Sequence, residues 1–337
     1  MNELRGGRDR PHESDQPLRR ALETGTDNGW RRQAIEPRSP SEYAADLKQQ
    51  SVAGTPDRPF AERLDEPLGV GRTRVDGPGE FTETLQTPRE LLKRFDPERA
   101  GLPNLSEKDA PAYIEARCAD RPWLAAARDC SPEVQRVFAA LDQGGGHAHI
   151  RHEGWVTEEM NERRVTYLED PAQLHPGKRA AGIDGMMEGD QPHGCKKTAS
   201  RITGPDAFAA AFAKGVEHAA VRTALEMQFD PDRRPNPVSV PIENLLGLHG
   251  HEYCTGWQLQ PVEGSMRKAF RGRDAWTGAR ADGDAADVRQ PIAEPVETFE
   301  GGTIAFAFGP NRAGDGYEVI TMFARPPERP DWKYDRQ

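Results

Sequence analysis

The run Gly144-Gly145-Gly146-His147-Ala148-His149-Ile150-Arg151-His152 sets three imidazoles and a guanidinium within six residues behind a glycine hinge. An imidazole titrates near neutral pH, so it can take or give a proton there, or ligate a metal when neutral. The guanidinium of Arg151 presents a planar fork that matches phosphate oxygens. Such density fits metal binding or acid–base chemistry on an anion, against the plainer reading of a solvated, His-rich helix start. Arg151 follows His147 by four residues and shares its face if the segment is helical. The commoner fate of such an arginine is a surface ion pair.

Two chemistries compete for these residues. As ligands, His147, His149 and His152 could join His193 and Cys195, or His249, His251 and Cys254, in a zinc site. No spacing reproduces a standard zinc signature, and the H-E-x-x-H pattern is absent. His249 and His251 read equally as loop residues, and Cys254 as a small buried hydrophobe. Without a metal or any cofactor, the same groups suit cleavage of a phosphodiester. RNA carries its own nucleophile, the 2′-hydroxyl. The site then needs a base, an acid, and cations or hydroxyls for the charged phosphorane. Lys196, Lys197, Ser200 and Arg201 form a second basic cluster before a helix start, suited to an anion or to a solvated loop. Thr321 contributes only if its strand turns it toward the site.

The elements that must position these groups follow helix signals and then strand signals. Residues 1 to about 100 lack sustained periodicity and read as a disordered tether, with a short amphipathic helix around 90–95 as its one candidate element. Ser106-Glu107-Lys108-Asp109 resembles a capping box opening a helix to about Ala119. Ser131-Pro132-Glu133 starts a helix with Val134, Val137, Phe138 and Leu141 on one face, running into the glycine hinge. Thr157 caps a helix that ends before Asp170-Pro171. Thr203-Gly204-Pro205-Asp206 starts a helix bearing Phe208 and Phe212.

Loop insertions are expected at about 165–197 and 230–295. The chain closes with a hairpin of 303–308 and 317–323, whose alternation puts Tyr317, Val319, Thr321 and Phe323 on one face. Helices first and strands last predict an α+β class, with helices packed on a small antiparallel sheet over residues 101–330.

Composition bounds the function. Thirty-three glycines and 29 prolines imply long loops. The mean hydropathy of −0.82 and the lack of a twenty-residue apolar run argue against a membrane span. The first residues lack the apolar segment of a secretory signal, which predicts a soluble protein acting in a cytoplasm, its own or that of a target cell reached by non-classical export. Four cysteines in this length are no disulfide framework. Net charge is −10, distributed as −2 over residues 1–100 and −8 over the rest. That argues against a broad nucleic-acid surface, while a local basic cleft could survive inside an acidic whole.

Three segments carry a resemblance: Gly145-Gly146-His147 with Arg151-His152, then Thr198-Ala199-Ser200-Arg201-Ile202 before the Ala/Phe helix, then Gly316-Tyr317-Glu318-Val319-Ile320-Thr321-Met322-Phe323. Together they resemble the bacterial RNase A-like toxin domain of contact-dependent-inhibition and other polymorphic toxins. More distantly they are similar to the barnase–EndoU–colicin–RelE group. The resemblance implies a metal-independent endoribonuclease acting on RNA such as tRNA, and a cognate immunity protein as partner. It makes His147 the catalytic imidazole, puts Arg151 and His152 at the motif's basic positions, and gives Thr321 a contact to the scissile phosphate. Lys196, Ser200, Arg201 and Phe323 would line the substrate site. Phe323 stands where the family carries a tyrosine, and the loops are longer than the family's. A zinc hydrolase and a non-catalytic binding protein on a ribonuclease-like fold are the alternatives.

Overall fold

The computed structural model describes residues 58–68, 86–171, 187–188, 191–192, 194–282 and 287–328. All fall in one unit, Pro37–Gln337. The expected disorder of residues 1–57 and 69–85 concerns positions outside the described residues. The remainder of that stretch is structured, which corrects the tether reading. Thr87 and Glu90 form a reciprocal capping box at the start of helix α1 (Pro88–Arg94), which closes with Lys93 and Arg94 in its last turn. Leu91, Leu92 and Phe95 are buried, Phe95 lying edge-on to Phe212 at 6.0 Å. A 3-10 turn, Phe60–Arg63, adds Phe60 and Leu64 to the same core. The core therefore begins some forty residues earlier than residue 101.

Helices α2 (Ala110–Glu115), α3 (Pro122–Ala127) and α4 (Pro132–Gln143) follow, α3 and α4 opening on proline at the first helical position. On α4 the expected face of Val134, Val137, Phe138 and Leu141 is fully buried. A short helix α5 (Ala148–Arg151) follows the glycines, and α6 (Glu158–Tyr167) is capped by Thr157, whose Oγ1 accepts the Met160 amide at 3.2 Å. Strands β1 (Met187–Glu188) and β2 (Gln191–Pro192) pair as a minimal antiparallel ribbon.

Strand β3 (Thr198–Ile202) leads into α7 (Pro205–Glu217), in which Ala207 to Ala213, Gly215 and Val216 are all buried. A helix apolar all round belongs in the centre of a core. Its alanines and Gly215 allow close approach: a Cβ on Gly215 would stand 2.2 Å from the Phe306 ring. Helix α8 (Ala219–Leu225) continues from it.

Two three-stranded antiparallel sheets flank this core. One is β3–β5–β6, with β5 at Cys254–Leu259 and β6 at Ala293–Pro295; the other is β4–β7–β8, with β4 at Val238–Pro241, β7 at Thr303–Pro310 and β8 at Tyr317–Arg325. The class is α+β. Between β4 and β5 lies α9 (Ile242–Leu246). The stretch expected as an exposed insertion instead carries α10 (Met266–Asp282). Arg273 staples that helix down by donating to the carbonyls of Val165, Lys196 and Cys195 at 3.0, 2.9 and 2.8 Å. Met266 and Ala269 pack with Val165, Ala199 and Leu259 in a second small core. No described helix is long and apolar enough to cross a membrane.

The closing hairpin has the expected strands and a different facing. Ala307 pairs with Thr321 but Phe308 pairs with Val319, so Ile320 is an extra residue on β8. A bulge of this kind breaks the alternation and re-aims the side chains beyond it. Val319, Met322 and Ala324 all belong to the core, while Thr321 and Phe323 are half-buried. Thr321 therefore does not share a face with Val319, as strict alternation required.

Candidate functional site

The glycine hinge ends α4 and lays its three residues against β8. A Cβ on Gly146 would stand 2.8 Å from Val319 O and 3.0 Å from Ile320 Cα, so only glycine lets the two backbones approach this closely. The next amide, that of His147, donates to Ile320 O at 2.7 Å. His147 also heads α5, its carbonyl accepting the amides of Ile150 and Arg151 at 3.1 and 3.0 Å. It is half-buried, and the acceptor of its amide, Ile320, is the strand residue next to Thr321. The Oγ1 of Thr321 is out of solvent and has no hydrogen-bond partner.

His152 is held rather than free to react. Its Nδ1 lies 3.0 Å from Ser200 O, and a carbonyl only accepts, so Nδ1 carries the proton. Its ring stacks on Phe323 with centroids 5.2 Å apart, and the Arg164 guanidinium lies 3.4 Å from Nδ1 and 3.5 Å from Nε2. Burial, and then the charge of Arg164, push its pKa well below the ordinary histidine value. A neutral, 4 % exposed imidazole at this point joins β3 to β8. Its carbonyl extends the same junction by accepting the Ile202 amide at 2.9 Å. Phe323 is thus a packing partner of the imidazole, and the Arg325 guanidinium lies 4.9 Å from its ring centroid.

Of the other candidates, Arg151, Ser200 and Arg201 are already committed within the fold. The Arg151 fork meets Asp170 in two parallel bonds of 2.9 and 2.5 Å, with the carboxylate side chain only 2 % exposed. That is the ion-pair fate rather than a clamp awaiting a phosphate. Ser200 Oγ donates to Ala324 O at 2.6 Å and ties the two sheets together. Arg201 is buried and donates to Gly154 O at 3.1 Å, Val156 O at 2.6 Å and Glu158 Oε1 at 3.0 Å. Lys196 is exposed, and its carbonyl serves Arg273. The structure thus brings His147, His152, Thr321, Phe323 and Ser200 to one seam between β3, α5 and β8, and assigns Arg151 and Arg201 to ion pairs around it.

The metal alternative divides differently. His149 is fully buried in the core beside Trp123, its Nε2 3.7 Å from Asp142 Oδ1. Burial lowers its pKa, with Asp142 opposing. Burial also pushes the Asp142 carboxyl up, but His149, Trp123 and Tyr113 hold it at about 2. His249 pairs with Glu252 at 3.2 Å, and burial raises the Cys254 thiol to about 12. Among the described residues no group of three or more His, Cys, Asp or Glu is placed to hold a metal ion. His193 lies outside the described residues.

Sequence reasoning missed two carboxylates that shape the seam, Asp170 and Glu318. Asp170 had a signal, since an acid at a helix exit before proline stands ready for a nearby arginine. Glu318 had one too, as an acidic residue near the start of a mostly apolar strand. The chain matches no family model, no curated relative and no solved structure.

Proposed function

We propose that the chain is a metal-independent ribonuclease that cleaves RNA by transesterification through the 2′-hydroxyl. The observation that carries this reading is the hydrogen bond from the His147 amide to Ile320 O, which fastens the backbone of a half-buried histidine one strand residue from Thr321, whose hydroxyl has no hydrogen-bond partner. In this reading His147 moves the proton as general base or acid, and Thr321 donates a hydrogen bond to the phosphate. The threonine oxygen is closed to solvent, so substrate binding must uncover it. His152 and Phe323 support the seam without touching the reacting atoms, and the Arg151–Asp170 pair fixes the helix that His147 heads. The same reading casts the chain as a toxin acting in a target cytoplasm, with a cognate inhibitor.

The test incubates the full chain with total tRNA in excess EDTA, beside His147→Ala and Thr321→Val. Expected is cleavage by the wild type leaving 2′,3′-cyclic phosphate ends, with losses of about 10²–10⁴-fold for His147→Ala and about tenfold or more for Thr321→Val. Cleavage by His147→Ala at the wild-type rate overturns the assignment. Cleavage that requires added zinc overturns the metal-independent mechanism.

A further inference from the structure

The triple-glycine turn has the form of an anion site, and the chain fills that site itself. Gly145 donates its amide hydrogen to Glu318 Oε1 at 2.6 Å, and the nearby Gly146 amide also favours the ionised carboxyl. A Cβ on Gly145 would stand 2.9 Å from Oε1, and one on Gly144 would stand 3.0 Å from Oε2, so the carboxyl lies hard against the turn. Glu318 is fully buried, and its Oε2 has no hydrogen-bond partner. Buried polar atoms are normally paired, and an orphaned carboxyl oxygen calls for an explanation. This one sits on β8 two residues before Ile320, whose carbonyl takes the His147 amide, and three before Thr321. The short arc from residue 145 to residue 147 is therefore fastened to β8 at both ends, by Glu318 and by Ile320.

We infer that Glu318 is the positioning residue for His147: its carboxylate clamps Gly145 to β8, and taking up a proton loosens that clamp. An ionised carboxylate gives the Gly145 amide a charge-assisted acceptor, stronger than that of the neutral acid. The neutral acid also brings an O–H that needs an acceptor. Burial pushes this carboxyl up to about 7, against the pull of the Gly145 and Gly146 amides and of Arg312. Arg312, in the turn between β7 and β8, also donates to Gln143 O at 2.9 Å, on the far side of the same hinge. From α4, Asp142 is directed to Tyr113 and Trp123, at 2.8 Å each, and from the turn itself His147 is the titratable group. The clamp rests on the ribonuclease reading only for its activity readout.

The experiment follows the full ¹⁵N-labelled chain by NMR across neutral pH, as wild type and as Glu318→Gln. Expected are Gly145 and Gly146 amide resonances that titrate with a midpoint near 7 in the wild type. In Glu318→Gln the transition that belongs to the carboxyl should be lost from both amides. On RNA, the ratio of wild-type to Glu318→Gln kcat should be about 1 in mild acid and rise to about tenfold in mild base, equal to ~1.4 kcal/mol, with KM little changed. Glycine amides that do not titrate, or that titrate identically in Glu318→Gln, overturn the inference. If RNA is not cut at all, the ribonuclease reading fails while the amide titration still decides the clamp. Glu318→Ala is an added probe, and the isosteric Gln variant carries the test if it does not fold.

Discussion

Replacing Gly146 by alanine tests whether the hinge is required by close packing. The added methyl would meet Val319 O at 2.8 Å and the Ile320 backbone at 3.0 and 3.1 Å, all main-chain atoms of a core strand. None can swing aside as a side-chain tip would, so the turn or the strand must shift. A shift of the turn breaks the His147 N–H to Ile320 O bond, worth about 1 kcal/mol. Local overpacking adds about 1–3 kcal/mol. The sum is a loss of about 2–4 kcal/mol, read as a fall in urea midpoint at unchanged slope. Gly194→Ala is the control, because no atom lies within 4 Å of its Cβ, and it should stay within about 0.5 kcal/mol of wild type. Displacing His147 by about an ångström should also cut RNA cleavage by about 10²-fold. A Gly146→Ala protein as stable as the control would refute the claim that this approach is obligatory. It would also remove the geometric basis for placing His147 at the seam.

Two further outcomes follow. The Arg151–Asp170 fork, with a buried carboxylate and a guanidinium 15 % exposed, should show a coupling of about 2 kcal/mol in a double-mutant cycle of Arg151→Met and Asp170→Asn, and additive losses would remove its role in fixing α5. Glu153 is fully buried with Oε1 unbonded, and burial raises its carboxyl from 4.5 to about 7 against the Trp155 and Gly154 amides. Its folded-state value lies above the unfolded one, so its contribution is greatest in acid and is lost as pH rises through about 7. Chemical denaturation should therefore find Glu153→Gln more stable than wild type at mildly basic pH by up to ~3 kcal/mol, with the gap closing below pH 4.5. A gap independent of pH would show that the carboxyl is not neutral in the fold.

The helices were legible because their starts are local chemistry. Proline after Ser131, the Thr157 cap and the Ala/Phe face of 205–217 each act within one turn of chain. Two elements were misread because their support is not local. The helix at Met266–Asp282 has a polar, Gly- and Arg-rich sequence, and it is held by Arg273 reaching carbonyls far away in the chain. Residues 58–68 carry one short turn whose value lies in delivering Phe60 to the core, where it meets Tyr253 edge-on at 5.0 Å. No window of sequence contains either partner.

The site shows the same division more sharply. His147 was singled out by its neighbours, since three glycines before an imidazole are visible in any reading of the chain. What the surrounding charges do was not visible, because each is decided by a partner beyond local range. Arg151 and Arg201 are ordinary phosphate-clamp candidates until Asp170 and Glu158 are seen to hold them. His152 is an ordinary acid–base candidate until burial and Arg164 make it neutral. The facing of Thr321 turned on a single extra residue, Ile320, because a strand's alternation survives only while its pairing register does. The bulged residue Ile320 offers its carbonyl to the His147 amide and breaks the alternation that would have set Thr321 beside Val319, neither of which the residue types alone could show. If the proposed RNA cleavage holds, a chain of net charge −10 must bind its substrate through a local set of cations, and at the seam Arg151 and Arg201 are already paired. Its salt dependence should accordingly be shallow, and a steep slope would require a basic surface beyond the seam.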